Sequence, residues 1–278
     1  MAEHLAGLAL LEAPDDPALA GVIAKLDERY GDGIDAIVLY GSYLRGNAEA
    51  MPDLYVLLRQ YPPSPRLDRW LGSALPPNVY VVSDGELRAK VSVLLTHQLV
   101  NAVTADFHPY FWARFVQPSR LIHCRDDEIL ARLKYIAARS ARRLLDAMGS
   151  PDALTAPEGY WLAVFERTYA AELRSERSGK YGEIYAANRA YYDSLFDARG
   201  RGKDRPVLWR LRQVAGKALS GARILKSVLT FDDPVGYMLW KLERHSGVRI
   251  EATERQRRHP LLFAWPLVWR LYREGAFR

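Results

Sequence analysis

The spacing of apolar residues changes near residue 125, and this constrains the fold more than any other feature of the chain. Before that point they come as short runs rich in β-favouring types, at Ile34 to Tyr40, Asp53 to Leu58, Val79 to Ser83 and Lys90 to Thr96. Runs of this length bounded by Gly or Pro read as buried strands. Asp16-Pro17 reads as the N-cap and first-turn proline of a helix through Leu26, with Gly31-Asp32-Gly33 as its stop, because the aspartate accepts orphan amide bonds and proline has none to lose. A short helix is expected between the second and third strands, after the prolines at 62, 63 and 65. Beyond Cys124, apolar positions recur three and four apart over Asp126 to Met148, Pro157 to Arg177, Tyr181 to Ala198, Pro206 to Leu229 and Pro234 to His245, which predicts helices. The expected architecture is therefore α+β, with a mixed-sheet domain over residues 1–125 and an all-helical domain over 126–278.

The chain has 278 residues, 49% hydrophobic and 26% charged, a balance that excludes disordered, collagen-like and multi-spanning membrane classes. Cys124 is the single cysteine, so neither an internal disulfide nor a cysteine-based zinc site is available. The leading MAEHLAGLALLEAPDD has no basic start and only a short apolar run, from which no signal peptide, no membrane span and a cytoplasmic location are expected. Charge is unevenly spread. Residues 1–60 hold ten Asp/Glu against four Lys/Arg, whereas Arg199 to Lys226 holds nine Lys/Arg and one acid. A concentrated positive field attracts phosphates, whether of nucleotide, nucleic acid or anionic lipid; a solvated helix face has the same composition.

The sharpest local signal is Leu39-Tyr40-Gly41-Ser42, followed after a polar loop by Asp53-Leu54-Tyr55-Val56. A strand running into Gly-Ser and then a helix sets amides and a hydroxyl where a triphosphate can be held. An acid opening the next strand lies alongside, as a candidate Mg²⁺ ligand. Gly41 permits close backbone approach, Ser42 supplies the hydroxyl, and Asp53 is the metal candidate.

This segment resembles the nucleotidyltransferase superfamily related to DNA polymerase β, whose signature is an apolar strand, Gly-Ser, about ten residues, and two acids separated by one residue. Here the second acid is replaced by Tyr55. The chain is most similar to the mitochondrial-type phosphatidate cytidylyltransferases, the translocator maintenance family. Three later segments carry that likeness: Lys90-Val91-Ser92-Val93, Phe111-Trp112-Ala113-Arg114-Phe115-Val116-Gln117-Pro118, and Tyr169-Ala170-Ala171-Glu172-Leu173-Arg174-Ser175-Glu176. Where that family shows two acids after the apolar strand this chain has Arg59-Gln60, and where it has Lys before the proline this chain has Gln117.

The resemblance implies a nucleotidyltransferase that moves a cytidylyl group from CTP to phosphatidic acid, in phospholipid biosynthesis. It implies Gly41, Ser42 and Arg174 on substrate, Asp53 on Mg²⁺, and Lys90 and Arg114 balancing phosphate charge. It further implies peripheral attachment to the inner face of a membrane, with nucleic acid the lesser partner. The alternatives are a degenerate fold that binds a nucleotide or partner without turnover, motivated by Tyr55 and Arg59, and an active enzyme with another acceptor. Each residue also has a plainer reading. Arg114 meets a phosphate or pairs with a carboxylate such as Asp106; Arg174, Glu172 and Glu176 form intrahelical pairs; Asp84 and Glu86 are turn and cap residues or substitute metal ligands. The end of the chain places Trp265, Trp269 and Tyr272 beside Arg270 and Arg273, after a basic run at Arg255 to Arg258, a composition that suits a membrane interface or docking on the domain.

Overall fold

Two apolar runs bounded by turns build the centre of the sheet. Strands β2 (Ile34–Tyr40) and β3 (Asp53–Leu58) are buried along almost their whole length and pair antiparallel, Tyr40 opposite Asp53 and Ile37 opposite Val56. Around them the computed structural model has four more strands: β1 (Leu10–Glu12), β4 (Asn78–Asp84), β5 (Leu87–Leu95) and β6 (Ser119–Cys124). The sheet order is β1-β6-β2-β3-β5-β4. β3 and β5 run parallel with Asp53 opposite Lys90, β4 returns antiparallel along β5, and β6 covers the other edge of β2 antiparallel. The structure describes residues 10–12, 16–47, 50–63, 66–85, 87–151, 155–172, 179–199, 205–230 and 253.

Helices cover both faces, as a sheet with parallel strands requires. On one face lies α1 (Ala20–Tyr30), which follows a 3₁₀ turn at Pro17–Leu19 capped by the Asp16 carboxylate on the Ala18 amide. Its Val22 and Leu26 pack on Ile37, Val56, Val91 and Val93. A short helix, α2 (Arg66–Ala74), precedes β4 on the chain. On the other face, α3 (Thr96–Ala105), α4 (Trp112–Phe115) and α5 (Asp127–Met148) bury Val38, Tyr55, Leu57 and Leu94. The helical half continues with α6 (Pro157–Tyr169), α7 (Lys180–Ala187), α8 (Arg189–Asp197) and α9 (Pro206–Thr230). Its core is aromatic: Trp161 donates to the Tyr192 carbonyl at 2.7 Å, and Trp209 donates to the Ala147 carbonyl at 2.9 Å. Residues 1–222 form one compact unit and 223–278 another.

The chain is thus α+β, with the sheet followed by helices. Several expected bounds shift. The helix expected from Pro157 ends at Tyr169, and that expected over Tyr181 to Ala198 is two helices joined at Asn188, whose φ of −141° is not helical. Thr96 does not extend β5; it opens α3, where the Gln98 side chain accepts the Leu95 amide at 2.9 Å. Elements β1, α3, α4 and β6 were not expected from the sequence. The expected helix over Pro234 to His245, the basic run at 255–258 and the C-terminal aromatic segment lie outside the described residues.

Candidate functional site

Sheet register builds the site. Asp53 opens β3, with Tyr40 opposite it on β2 and Lys90 opposite it on β5. Lys90 sits inside β5 rather than at its start, and its amide donates to the Pro52 carbonyl at 2.9 Å. Its ammonium lies 3.3 Å from the Asp53 carboxylate, with the two side chains 34% and 26% exposed. A pair that wet contributes no more than about 1 kcal/mol to stability. It opens at little cost.

Gly41 follows directly on the last residue of β2. Its φ is +90°, and a Cβ there would come within 2.9 Å of an Asp53 carboxylate oxygen. Position 41 therefore needs glycine twice over, for its backbone and for the room it leaves beside the carboxylate. Ser42 begins a turn, not the expected helix: its carbonyl accepts the amides of Arg45 at 3.1 Å and Asn47 at 3.2 Å, and Gly46 at φ +88° ends it. The amides of 45 and 47 are consumed inside the turn. A helix N-terminus aimed at phosphate is absent at this point.

Alternation along β3 sends Tyr55 to the same face as Asp53, but not into an open pocket. The ring is 1% exposed, stacks on Tyr40 at 4.7 Å and meets Phe115 at a tilt, 4.9 Å between centroids. Its hydroxyl is buried without a hydrogen-bond partner. Burial lifts its pKa well above the ordinary phenol value, with Tyr40 and Tyr110 adding to the rise, so it is a neutral phenol at physiological pH. Tyr40 is raised too, by burial first and then by Asp53, while Lys90 and Arg114 oppose. This one ring is within electrostatic reach of both charged groups of the strand ends and of the cation on α4.

That cation is Arg114, and it neither stands free for phosphate nor pairs with Asp106. Its guanidinium grips Glu172 through two bonds of 2.6 and 2.8 Å, donates to the Tyr110 carbonyl at 2.7 Å and lies 3.8 Å over the Tyr110 ring. Loss of hydration is the largest single effect and lowers its pKa, but the pull of Glu172, Tyr110 and Tyr55 and the hydrogen bonds to Glu172 together outweigh it and raise the pKa well above the free value. Glu172 is consequently not an intrahelical partner: α6 has ended three residues earlier, and the chain turns to bring it to Arg114. Asp106 lies instead 3.5 Å from His108, and its carbonyl accepts from Arg143. Asp84 packs on the opposite face, paired with Lys25 of α1 at 3.2 Å, and is remote from Asp53. Arg174, Glu176 and Glu86 lie outside the described residues.

The strand ends thus bring together Gly41, Ser42, Asp53 and Lys90. Arg114 stands behind them, beyond the Tyr40–Tyr55 stack. No group of three or more His, Cys, Asp or Glu side chains able to hold a metal exists among the described residues. A resident metal cage does not fit. One carboxylate does suit Mg²⁺ that comes with a nucleotide, since this ion takes one or two carboxylates and fills the rest of its shell from phosphates and water. Sequence reasoning missed Tyr40, Tyr110 and the pairing of Glu172, and also the buried carboxylate of Asp35, held by Arg125 and by the Thr96 hydroxyl at 2.5 Å. These contacts join residues far apart in sequence, so no local pattern marked them. The chain matches no model of a known protein family and no curated protein sequence. No helix among the described residues is long and apolar enough to cross a membrane.

Proposed function

We propose that the protein is a nucleotidyltransferase of the phosphatidate cytidylyltransferase type, binding CTP at the Gly41, Asp53 and Lys90 end of the sheet and passing the cytidylyl group to phosphatidic acid. The supporting observation is the convergence of an acid and a close-approach glycine from one sequence motif with a cation from a second segment that the resemblance picked out separately. In the reaction a phosphate oxygen of phosphatidate attacks the α-phosphorus of CTP. The bond from that phosphorus to the oxygen bridging the β-phosphate breaks, and pyrophosphate leaves. Lys90 turns from Asp53 to the phosphates and balances charge that builds on them, a role suited to a compact point charge. Asp53, released, is the carboxylate that would hold an Mg²⁺ entering with CTP, and the ion would supply further neutralisation of the phosphate oxygens. The arrangement acts mainly by alignment and charge balance. Basic residues of the helical half, such as Arg210 and Lys217 on α9, hold the protein to the anionic surface that carries the acceptor.

Two observations favour a second reading, nucleotide binding without turnover. Asp53 already has its countercharge in Lys90, and Tyr55 is a neutral core residue where the superfamily has its second acid.

One experiment separates the two. Wild type and Asp53→Asn are given labelled CTP, Mg²⁺ and vesicles containing phosphatidic acid, and both CTP binding and pyrophosphate release are measured. Loss of the one metal-binding carboxylate is expected to lower release by on the order of 10²-fold or more, with the fold intact by circular dichroism. Binding without release in wild type establishes the second reading. Wild type that neither binds nor turns over CTP overturns both.

A further inference from the structure

Four arginines gather around the loop that follows α3. Arg139 and Arg143 come from α5, Arg212 from α9, and Arg205 directly precedes α9. Arg143 donates to the Thr104 carbonyl and, at 2.6 Å, to that of Asp106, while the Arg212 Nε donates to the next carbonyl, Phe107, at 3.2 Å. Both guanidiniums also lie by the Trp112 ring, 4.2 and 5.8 Å from its centroid. Adjacent carbonyls and one shared ring thus hold two full positive charges together.

Nothing among the described residues neutralises them. None of the four arginines has a carboxylate within ion-pair distance there, and Asp106, on the loop itself, turns its carboxylate to His108 at 3.5 Å. Arg212 is 9% exposed, and its Nη1 is buried with no hydrogen-bond partner, as is the Arg139 Nε. The C-terminal end of α3 offers about half a negative charge. That suits one capping guanidinium, not two with a third and fourth beside them. Burial lowers the pKa of both Arg143 and Arg212; Arg139 lowers the first further, against Asp106, and Arg143 and Arg205 lower the second further. The folded chain therefore keeps like charges together at a cost that an anion would remove.

Paired guanidiniums present planar donor forks, which match the oxygens of a tetrahedral dianion. Arg205 is exposed and Arg143 half-buried, so the cluster is open to solvent on their side. We propose that the Arg143–Arg212 pair is a binding site for a single phosphate group, free or as a monoester, with Arg205 at its mouth. None of its residues belongs to the Asp53 and Lys90 end of the sheet, and it does not rest on the reaction assigned there.

The test reads individual arginines, so that binding here is told apart from binding at Lys90. Phenylglyoxal, which modifies accessible guanidiniums, is applied to the Lys90→Ala protein with inorganic phosphate or glycerol 3-phosphate, and the modified residues are located by peptide mass spectrometry. A site of about 1 mM affinity is about nine-tenths filled at roughly 10 mM anion, so modification of Arg143 and Arg205 is expected to slow about tenfold relative to chloride at equal ionic strength. Arg59, exposed at the far end of β3, is expected to be unaffected. Protection by phosphate alone identifies a free anion as the ligand, and stronger protection by glycerol 3-phosphate a monoester. Protection by neither, or equal slowing at Arg59, overturns the proposal. Calorimetry with the same two anions is expected to show affinity weakened about tenfold or more by adding Arg143→Gln/Arg205→Ala to Lys90→Ala. Unchanged affinity in that variant, folded by circular dichroism, also overturns it; if the variant does not fold, the footprint on the Lys90→Ala protein decides.

Discussion

Tyr55 shows how one substitution can move a residue from site to core. An acid at that position of β3 would face the same side as Asp53, but the space is lined by Tyr40, Phe111 and Phe115. In that lining a phenol ring is well packed and its oxygen is not. A buried hydroxyl without a partner costs about 1–3 kcal/mol relative to a satisfied one. Tyr55→Phe keeps the ring and removes the orphan oxygen, so urea unfolding is expected to give a stability equal to wild type or higher by about 1 kcal/mol. A loss of similar size would mean that the hydroxyl holds a buried water or a ligand group. Tyr55→Asp is expected to unfold at lower urea, because it exchanges the stacked ring for a carboxylate in an apolar setting. Restoring the superfamily's acid therefore requires repacking the aromatic stack as well.

At the scale of elements, legibility followed burial. The bounds of β2 and β3 were readable because each strand is a short run that is apolar apart from one aspartate and ends at Gly41 or begins beside Pro52, so one-dimensional pattern and three-dimensional environment agree. β6 was not readable. It carries Arg120 and His123 among apolar residues and is mostly half-buried, so no alternation marks it. The α3 segment was hidden by β-branched residues continuing from β5, and only the Gln98 cap shows where strand becomes helix. Of the site, the sequence supplied Gly41, Ser42, Asp53 and Lys90 as local motifs. It could not supply the join between Arg114 and Glu172, 58 residues apart. That join ties α4 to the turn after α6 and has a testable strength. The two side chains are 13% and 12% exposed, and Glu172→Ala leaves a buried guanidinium with only a carbonyl and a ring. Removing one partner of such a pair costs about 3 kcal/mol or more. Glu172→Ala is expected to lose that much by urea unfolding, whereas Arg114→Met/Glu172→Leu, which removes both charges, is expected to recover most of it. Equal losses in the two variants would show that shape, not charge, is what the contact supplies.

For the molecule as a whole, the abundance of buried phenols sets the response to alkali. The chain has 16 tyrosines, and composition alone does not tell which are withheld from solvent. Tyr55 and Tyr192 are fully buried, and Tyr191 donates its hydroxyl proton to the Val116 carbonyl at 2.8 Å. Burial raises the pKa of all three above the ordinary value, for Tyr192 with a further rise from Tyr191. In the unfolded chain the same groups titrate near ~10. Between that value and their folded pKa the folded state binds more protons, so their contribution to stability is complete below pH ~10 and is lost as pH rises above it. Each withheld proton adds a slope of about 1.4 kcal/mol per pH unit, and the three act in the same direction because all sit in packed aromatic clusters. Alkaline unfolding is therefore expected to be steep and to begin above pH ~10. In a pH jump, phenolate absorbance should rise in two phases: exposed tyrosines at once, and the buried group at the rate at which far-ultraviolet circular dichroism is lost. Complete ionisation in the first phase, with the helix signal intact, would show that water reaches these rings in the folded protein.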